Sequence, residues 1–235
     1  KDVVFYIRLY RRNIMPYKTE LHMHTADISV CARVTPEEAV RDYKAAGYRT
    51  IVVTNHMNRA TFQHMAGASW EEQIQWYVTA RKKILEYADA DFSILLGFEL
   101  RLDGCENDYL VYGATDDFLL HNGDLMAMTL PDFSALAHQN GLLLYQAHPF
   151  RYHMTMVKEQ YLDGVEAYNG NARHDSHNFL TVTWAGYTHL PMTSGSDYHR
   201  PQDPCNGGIL TDMPITNDDE LLAALMTKNY TLLRG

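Results

Sequence analysis

His22-Met23-His24 sets two imidazoles two residues apart at the end of the segment Tyr17-Lys18-Thr19-Glu20-Leu21, with Thr25 directly after. In an extended chain, residues two apart point to one face, so both rings project together from the carboxyl end of a strand. Paired imidazoles make a poor core and a good start to a metal site. Four other apolar segments end in ligand-type residues: 48–54 in Asn55-His56, 92–98 in Glu99, 141–147 in His148, and 190–196 in Asp197-Tyr198-His199. A single ending of this kind is ordinary loop polarity. Five on separate segments point to one bowl of metal ligands.

The elements that must position these endings alternate regularly. Thr35-Pro36-Glu37-Glu38 is a capping box with proline at the first helical position, opening a helix through Tyr43 that stops near Gly47. Ser69-Trp70-Glu71-Glu72 opens a second helix, through Ile84 and Tyr87. A helix over 131–140 precedes the strand ending at His148, and one through Phe179 and Trp184 follows the strand 163–169. Asn217-Asp218-Asp219-Glu220 reads as a further capping box. With Asp108 opening the strand 108–113, seven strands alternate with helices, the pattern of an α/β parallel sheet or barrel in a single domain over 1–235. Barrel enzymes carry their chemistry at the carboxyl ends of the strands, where these ligands stand.

Composition narrows the function. A chain of 235 residues that is 46% hydrophobic can bury a full core. The formal charge of −9, without a basic run, argues against a broad grip on duplex nucleic acid. Three cysteines, Cys31, Cys105 and Cys205, lack paired spacing and imply neither a disulfide framework nor a zinc ribbon. No apolar run approaches the ~20 residues of a membrane span. The stretch 3–7 is too short, and too close to Arg8, to be a signal peptide, so a cytoplasmic location is the default expectation. Met15 is a possible natural start, with 1–14 a loosely attached lead-in.

His22-x-His24-Thr25, Thr54-Asn55-His56, Ala147-His148-Pro149 and Gly195-Ser196-Asp197-Tyr198-His199, with Glu99 between them, resemble the polymerase-and-histidinol-phosphatase (PHP) family of metal-dependent phosphoesterases. The similarity runs from about residue 18 to the C-terminus, with the motifs in family order. The resemblance implies a distorted seven-stranded β/α barrel of TIM-like type and two or three divalent ions in one cleft, Mn, Fe or Zn. Carried over residue by residue, His22, His24, Glu99 and Asp197 hold a first metal. Glu99 bridges to a second, bound also by His148, and His56 and His199 hold a third. Two positions depart from the usual pattern. Asp27 is the expected extra ligand of the third metal and Asp108 that of the second; oxygen in place of nitrogen favours harder ions such as Mn²⁺ or Fe²⁺. Asn55 stands where an aspartate is common, which weakens the support of its neighbouring histidine.

The implied activity is hydrolysis of a small phosphorylated substrate, mono- or diester, by water activated between metals, with Glu99 and Asp197 central. Arg101, two past Glu99, and Arg151, three past His148, are placed to reach the bowl, where a guanidinium fork suits phosphate. Asn169, Arg173 and His174 are further substrate-binding candidates. His64, His153 and His177 read as surface residues, and Cys31 as a small packed residue close enough to the first motif to be a soft ligand. Three other readings stand beside this one. An exonuclease on short oligonucleotides shares the chemistry, an amidohydrolase-type enzyme would need a bridging lysine, and a degenerate metal-binding regulatory domain would keep the fold alone.

Overall fold

The computed structural model describes residues 16–235; the expected lead-in, 1–14, lies outside the described residues. In chain order the strands are β1 (Tyr17–Glu20), β2 (Tyr48–Val53), β3 (His56–Met57), β4 (Ser93–Leu96), β5 (Phe98–Arg101), β6 (Asp108–Tyr112), β7 (Leu143–Gln146), β8 (Gly164–Asn169), β9 (Met192–Gly195), β10 (Ile209–Thr211) and β11 (Thr231–Leu232). The α-helices are α1 (Pro36–Ala45), α2 (Trp70–Arg81), α3 (Asp116–His121), α4 (Leu130–Gln139), α5 (Asn178–Thr188) and α6 (Asp218–Thr227). The seven expected strands and five expected helices are present. The short β3, β5, β10, β11 and α3 had no signal strong enough to predict them; the expected strand 92–98 stops at Leu96, and Glu99 lies within β5 rather than at a strand's end.

The strands form two sheets, ordered β11-β10-β1-β2-β4 and β3-β5-β6-β7-β8-β9. They meet along two seams. The parallel pair β2/β4 continues across a break as the parallel pair β3/β5. The break falls at Gly97, where a Cβ would sit 2.8 Å from the Val111 carbonyl oxygen. At the other seam Met23, past β1, bridges Tyr198, past β9, in parallel. Among the described residues no closed ring of strands is formed. Side chains of β6 alternate between two environments: Tyr109 and Val111 pack with Ile74, Tyr77, Phe118 and Phe133 of the helices, while Leu110 and Tyr112 pack with Leu21, Val52 and Leu95 of the first sheet. The two sheets therefore enclose a common core.

Parallel alternation fails at β6, which runs antiparallel to both β5 and β7. Six residues separate β5 from β6, too few for the crossover that a parallel pair needs. This reversal explains an oddity of the sequence. Asp108 opens its strand yet lies level with residues that close theirs, opposite Arg101 in register, with its carbonyl accepting from Ala147 N at 3.0 Å.

Helix starts follow the caps. Thr35 with Glu38 and Ser69 with Glu72 form complete capping boxes for α1 and α2. The expected box at α6 is only half made. Asn217 accepts from Glu220 N, but the Glu220 carboxylate turns to Thr216 N (2.7 Å) and Thr216 Oγ1 (2.9 Å). No helix among the described residues is long and apolar enough to cross a membrane.

Glu20 ties the ends of the sheets together where the ligands begin. Its buried carboxylate accepts from Leu21 N, His22 N and Ser196 N at 2.9–3.0 Å, from Tyr43 OH at 3.0 Å, and from Ser196 Oγ. Removing it bares several buried donors at once, each worth about 1–3 kcal/mol. Glu20→Ala is therefore expected to lower the unfolding free energy by about 3 kcal/mol or more. Urea unfolding followed by circular dichroism measures this, and a loss below about 1 kcal/mol would remove the clamp from the account.

Candidate metal centre

Glu99, on β5 and 1% exposed, is the hub of the ligand set. Its Oε1 lies 3.3 Å from His22 Nε2 and 3.2 Å from His148 Nε2. Its Oε2 lies 3.3 Å from His24 Nε2 and 2.9 Å from His56 Nδ1. Asp197 Oδ1 approaches His22 Nε2 at 3.4 Å, His24 Nε2 at 3.5 Å and His199 Nδ1 at 3.2 Å. Donor atoms within metal-sharing distance of one another fall into four groups: His24/His56/His199, His22/His148/Asp197, His22/His24/Glu99 and Glu99/Asp108/His148. Every expected ligand but one is brought together here. Asp27 is the exception: it belongs to none of these groups, and its Oδ1 is buried without a hydrogen-bond partner. Cys31 is likewise outside the four groups but stands beside His24/His56/His199, its Sγ 3.1 Å from His199 Nε2.

The chain fixes which nitrogen each ring turns inward. Thr25 N donates to Asn55 Oδ1 (2.8 Å), which leaves the Asn55 amide nitrogen for Thr25 Oγ1 (2.8 Å). Ser29 Oγ, 2.8 Å from the same Oδ1, must then donate its only proton to it. Its lone pairs accept from His56 N (3.0 Å) and from His24 Nδ1 (3.1 Å). His24 therefore carries its proton on Nδ1, and its Nε2 lone pair faces inward. His22 Nδ1 is held by Glu166 Oε1 at 2.8 Å, which frees His22 Nε2 in the same way. The two Nε2 atoms stand 3.0 Å apart. Two lone pairs so placed suit a cation between them, and buried Glu99 Oε2 and His56 Nδ1, without hydrogen-bond partners, suit one equally. The residues present fit divalent metal ions. Asn55, read from sequence as a weakened support, orients His24 through Ser29.

Local backbone aims the remaining ligands. His148 and Asp197 have φ of 28° and 50°, values that L-residues rarely adopt. Each is held by its neighbours: His148 N donates to Glu166 Oε2 (3.1 Å) and Asp197 N to His22 O (2.8 Å). Gly195 lies beneath them, where a Cβ would collide with His22 Cβ and Glu166 Oε1.

The sequence profile of the PHP domain matches residues 20–211, most of the chain. The chain belongs to the PHP domain family. A search of curated proteins returns no match. Among solved structures, this PHP domain is similar to PsfC from Pseudomonas syringae, with a TM-score of 0.68 and 16% identity over 94% of this chain and 92% of that one. It is also similar to a two-domain Bacteroides vulgatus protein containing a predicted PHP-like metal-dependent phosphoesterase, with a TM-score of 0.65 and 15% identity over 95% and 69%. A third is the lesion-specific endonuclease PfuEndoQ from Pyrococcus furiosus, with a TM-score of 0.61 and 13% identity over 93% and 58%. Identities this low speak for the fold alone.

Charge in the PHP site is arranged around its carboxylates. Burial raises Glu99, but His22 and His56 outweigh it and hold it well below the usual carboxylate range. Burial likewise raises Asp197, and His22, Arg151 and His199 reverse the shift. Burial lowers His24, reinforced by His199 and His56, so it stays neutral and ready to bind metal. Burial lowers His22 as well, yet Glu166, Asp197 and Glu99 together hold it well above the imidazole range, which makes a proton the competitor of a cation there. Burial raises the Cys31 thiol, while hydrogen bonds with His199 and His56 bring it down to about 6.

The centre opens into a cavity of about 350 Å³. Arg101, Arg151, Arg173 and His174 all line it, and each guanidinium is already engaged. Arg101 grips Asp108 through Nε (2.7 Å) and Nη2 (2.6 Å), and Arg173 grips Asp203 at 3.0 and 2.9 Å. Arg151 Nη2 donates to Asp197 Oδ2 (2.8 Å), Asn169 Oδ1 (2.9 Å) and Ser176 Oγ (3.1 Å). Asn169 is buried behind Asp197 and does not line the cavity; its Nδ2 donates to Glu166 Oε2 at 2.9 Å and Asp197 Oδ2 at 3.2 Å. His153 lines the cavity, its ring tilted against that of exposed Tyr152 at 3.8 Å between centroids, whereas His64 and His177 do not line it. Sequence reasoning passed over Glu166, whose signal was a carboxylate in the middle of a buried strand. A larger cavity, about 500 Å³ between the loop after β10 and α6, shares no residue with the site.

Proposed function

We propose that this PHP domain is a phosphoesterase that hydrolyses a small phosphorylated substrate, mono- or diester, at a centre of two or three divalent ions, Mn, Fe or Zn. The observation that carries the reading is Glu99, each of whose oxygens faces its own pair of imidazoles. A carboxylate so placed is built to bridge cations. We read the two sheets as halves of a distorted barrel, because they share one core and meet at both seams above this carboxylate.

When bound, such ions supply Lewis acidity that favours deprotonation of water and offsets the charge on phosphoryl oxygens. The chain supplies position. His22, His24, Glu99 and Asp197 would hold one ion, Glu99, His148 and Asp108 a second, and His56 and His199 a third. Arg151, fixed through Nε and Nη2, keeps Nη1 for a phosphoryl oxygen. Arg101 and Arg173, each held by a carboxylate, shape the rim. Arg101 orients Asp108 through two hydrogen bonds, and a carboxylate so fixed would need little reorganisation to hold a cation.

Cleavage of short oligonucleotides is the second reading, favoured by the likeness in fold to a lesion-specific endonuclease. The charge of −9 and the engagement of all three rim arginines favour the small substrate. The deciding measurement is metal content together with hydrolysis of phosphomonoesters, phosphodiesters and short oligonucleotides, with added Mn²⁺ or Zn²⁺. The expected result is roughly two to three ions per chain and metal-dependent phosphate release from a small ester. Cleavage confined to oligonucleotides would select the nuclease. No bound metal and no ester hydrolysed would sink both.

A further inference from the structure

We propose that Cys31 is a thiolate ligand of the third metal position, completing a donor set with His56 and His199 and selecting Zn²⁺ there over harder ions. The inference rests on the metal-centre reading above and assigns to a sulfur the place that Asp27 was expected to fill.

The geometry is local and specific. His199 Nδ1 lies 3.0 Å from the main-chain oxygen of Asp197, an atom that can only accept, so Nδ1 carries the proton and Nε2 is the free donor nitrogen. That Nε2 points at Cys31 Sγ, 3.1 Å away. The loop that carries the thiol is fastened to His199 itself, because Arg33 N donates to His199 O at 2.8 Å. Two tight turns bring it there: Ser29 N donates to Thr25 O and Ala32 N to Ser29 O, both at 2.9 Å. A second observation points to a cation at this place. Glu99 Oε2, within a side chain 1% exposed, has no hydrogen-bond partner and lies 2.9 Å from His56 Nδ1 and 3.3 Å from His24 Nε2, on the side of the cluster to which His199 also belongs. Cys31 lines the same cavity as His56 and His199, while Asp27 does not.

Sulfur changes what the position prefers. Thiolate with imidazole suits Zn²⁺, whereas the carboxylate-rich Glu99/Asp108/His148 group suits a harder ion, so one centre would hold two classes of metal. On metal uptake the Cys31 S–H bond breaks, the proton leaves to solvent and the sulfur lone pair forms the bond to the ion, with no change of oxidation state.

Cobalt substitution tests this without reference to activity. The intact chain loaded with Co²⁺ is expected to show an intense near-ultraviolet thiolate-to-cobalt band. Cys31→Ser should abolish that band, lower the bound metal by about one ion per chain, and leave the weaker visible cobalt absorption of the other positions. Because Cys31 is at the surface, serine there spares the core, and Cys105 and Cys205, which do not line the cavity, serve as internal controls. Cobalt bound without a thiolate band, or a band that survives in Cys31→Ser, overturns the proposal and leaves the metal centre standing. A chain that takes up no cobalt overturns both.

Discussion

Glu99→Gln is expected to abolish metal-dependent phosphate release, by ~10³-fold or more, while the fold survives. Glutamine keeps the shape of the side chain and one acceptor oxygen but removes the negative charge and turns an amide toward two imidazoles. Whichever way the amide lies, its nitrogen meets either His22 and His148 or His24 and His56. One pair of rings thus loses its shared anion, and an ion there would have one carboxylate oxygen fewer among its ligands. Bound metal should fall from roughly two or three ions per chain toward one. Circular dichroism should be unchanged, because Phe98 and Leu100, the strand neighbours of Glu99, pack in the core cluster independently of the carboxylate. A Glu99→Gln protein with wild-type metal content and rate would show that this carboxylate is not the bridge.

How much of this centre could be read from the chain divides along a physical line. Most candidate ligands were legible at strand ends because two local rules place them: an extended chain turns His22 and His24 to one face, and a parallel strand delivers its last residue to a common rim; Glu99, inside β5, departs from the second rule. Where a side chain's direction depends on a loop, sequence spacing fails. Asp27 and Cys31 are four residues apart in a coil of two tight turns, and it is the bond from Arg33 N to His199 O that decides which of them meets the imidazoles. Strand polarity was also hidden: the run 108–113 reads the same in either direction, and only the short connection from β5 forces the reversal that sets Asp108 among the ligands. Spacing set Arg101 and Arg151 near the cavity they line but did not show their partners, since nothing in the spacing pairs them with the carboxylates of Asp108 and Asp197. Asn55 shows the converse. It looks like a defect against the family pattern, and it works as a relay, because an amide can receive from Thr25 N and Ser29 Oγ while donating to Thr25 Oγ1.

Glu166 carries the second large expected effect, and it acts through other residues. Its Oε1 holds His22 Nδ1 and its Oε2 receives His148 N and Asn169 Nδ2, so one buried carboxylate sets the tautomer of one ligand, the strained backbone of another and the amide that steadies Asp197. Glu166→Ala should cost about 10- to 100-fold in metal affinity, the size usual for an outer partner of a ligating histidine. It should also lower stability, since the bared donors cost about 1–3 kcal/mol each. Glu166→Gln separates the two effects. Its single oxygen can still accept from His22 Nδ1, and its amide nitrogen then faces His148 N and Asn169 Nδ2, donor against donor. The glutamine variant should therefore keep the inward Nε2 of His22 and lose less affinity than alanine, while its thermal stability falls comparably. Competition against a chromophoric chelator gives the affinities and thermal unfolding the stabilities. Equal metal affinity in the wild type and Glu166→Ala would mean that His22 needs no orienting partner, and the tautomer argument for the whole centre would fall with it.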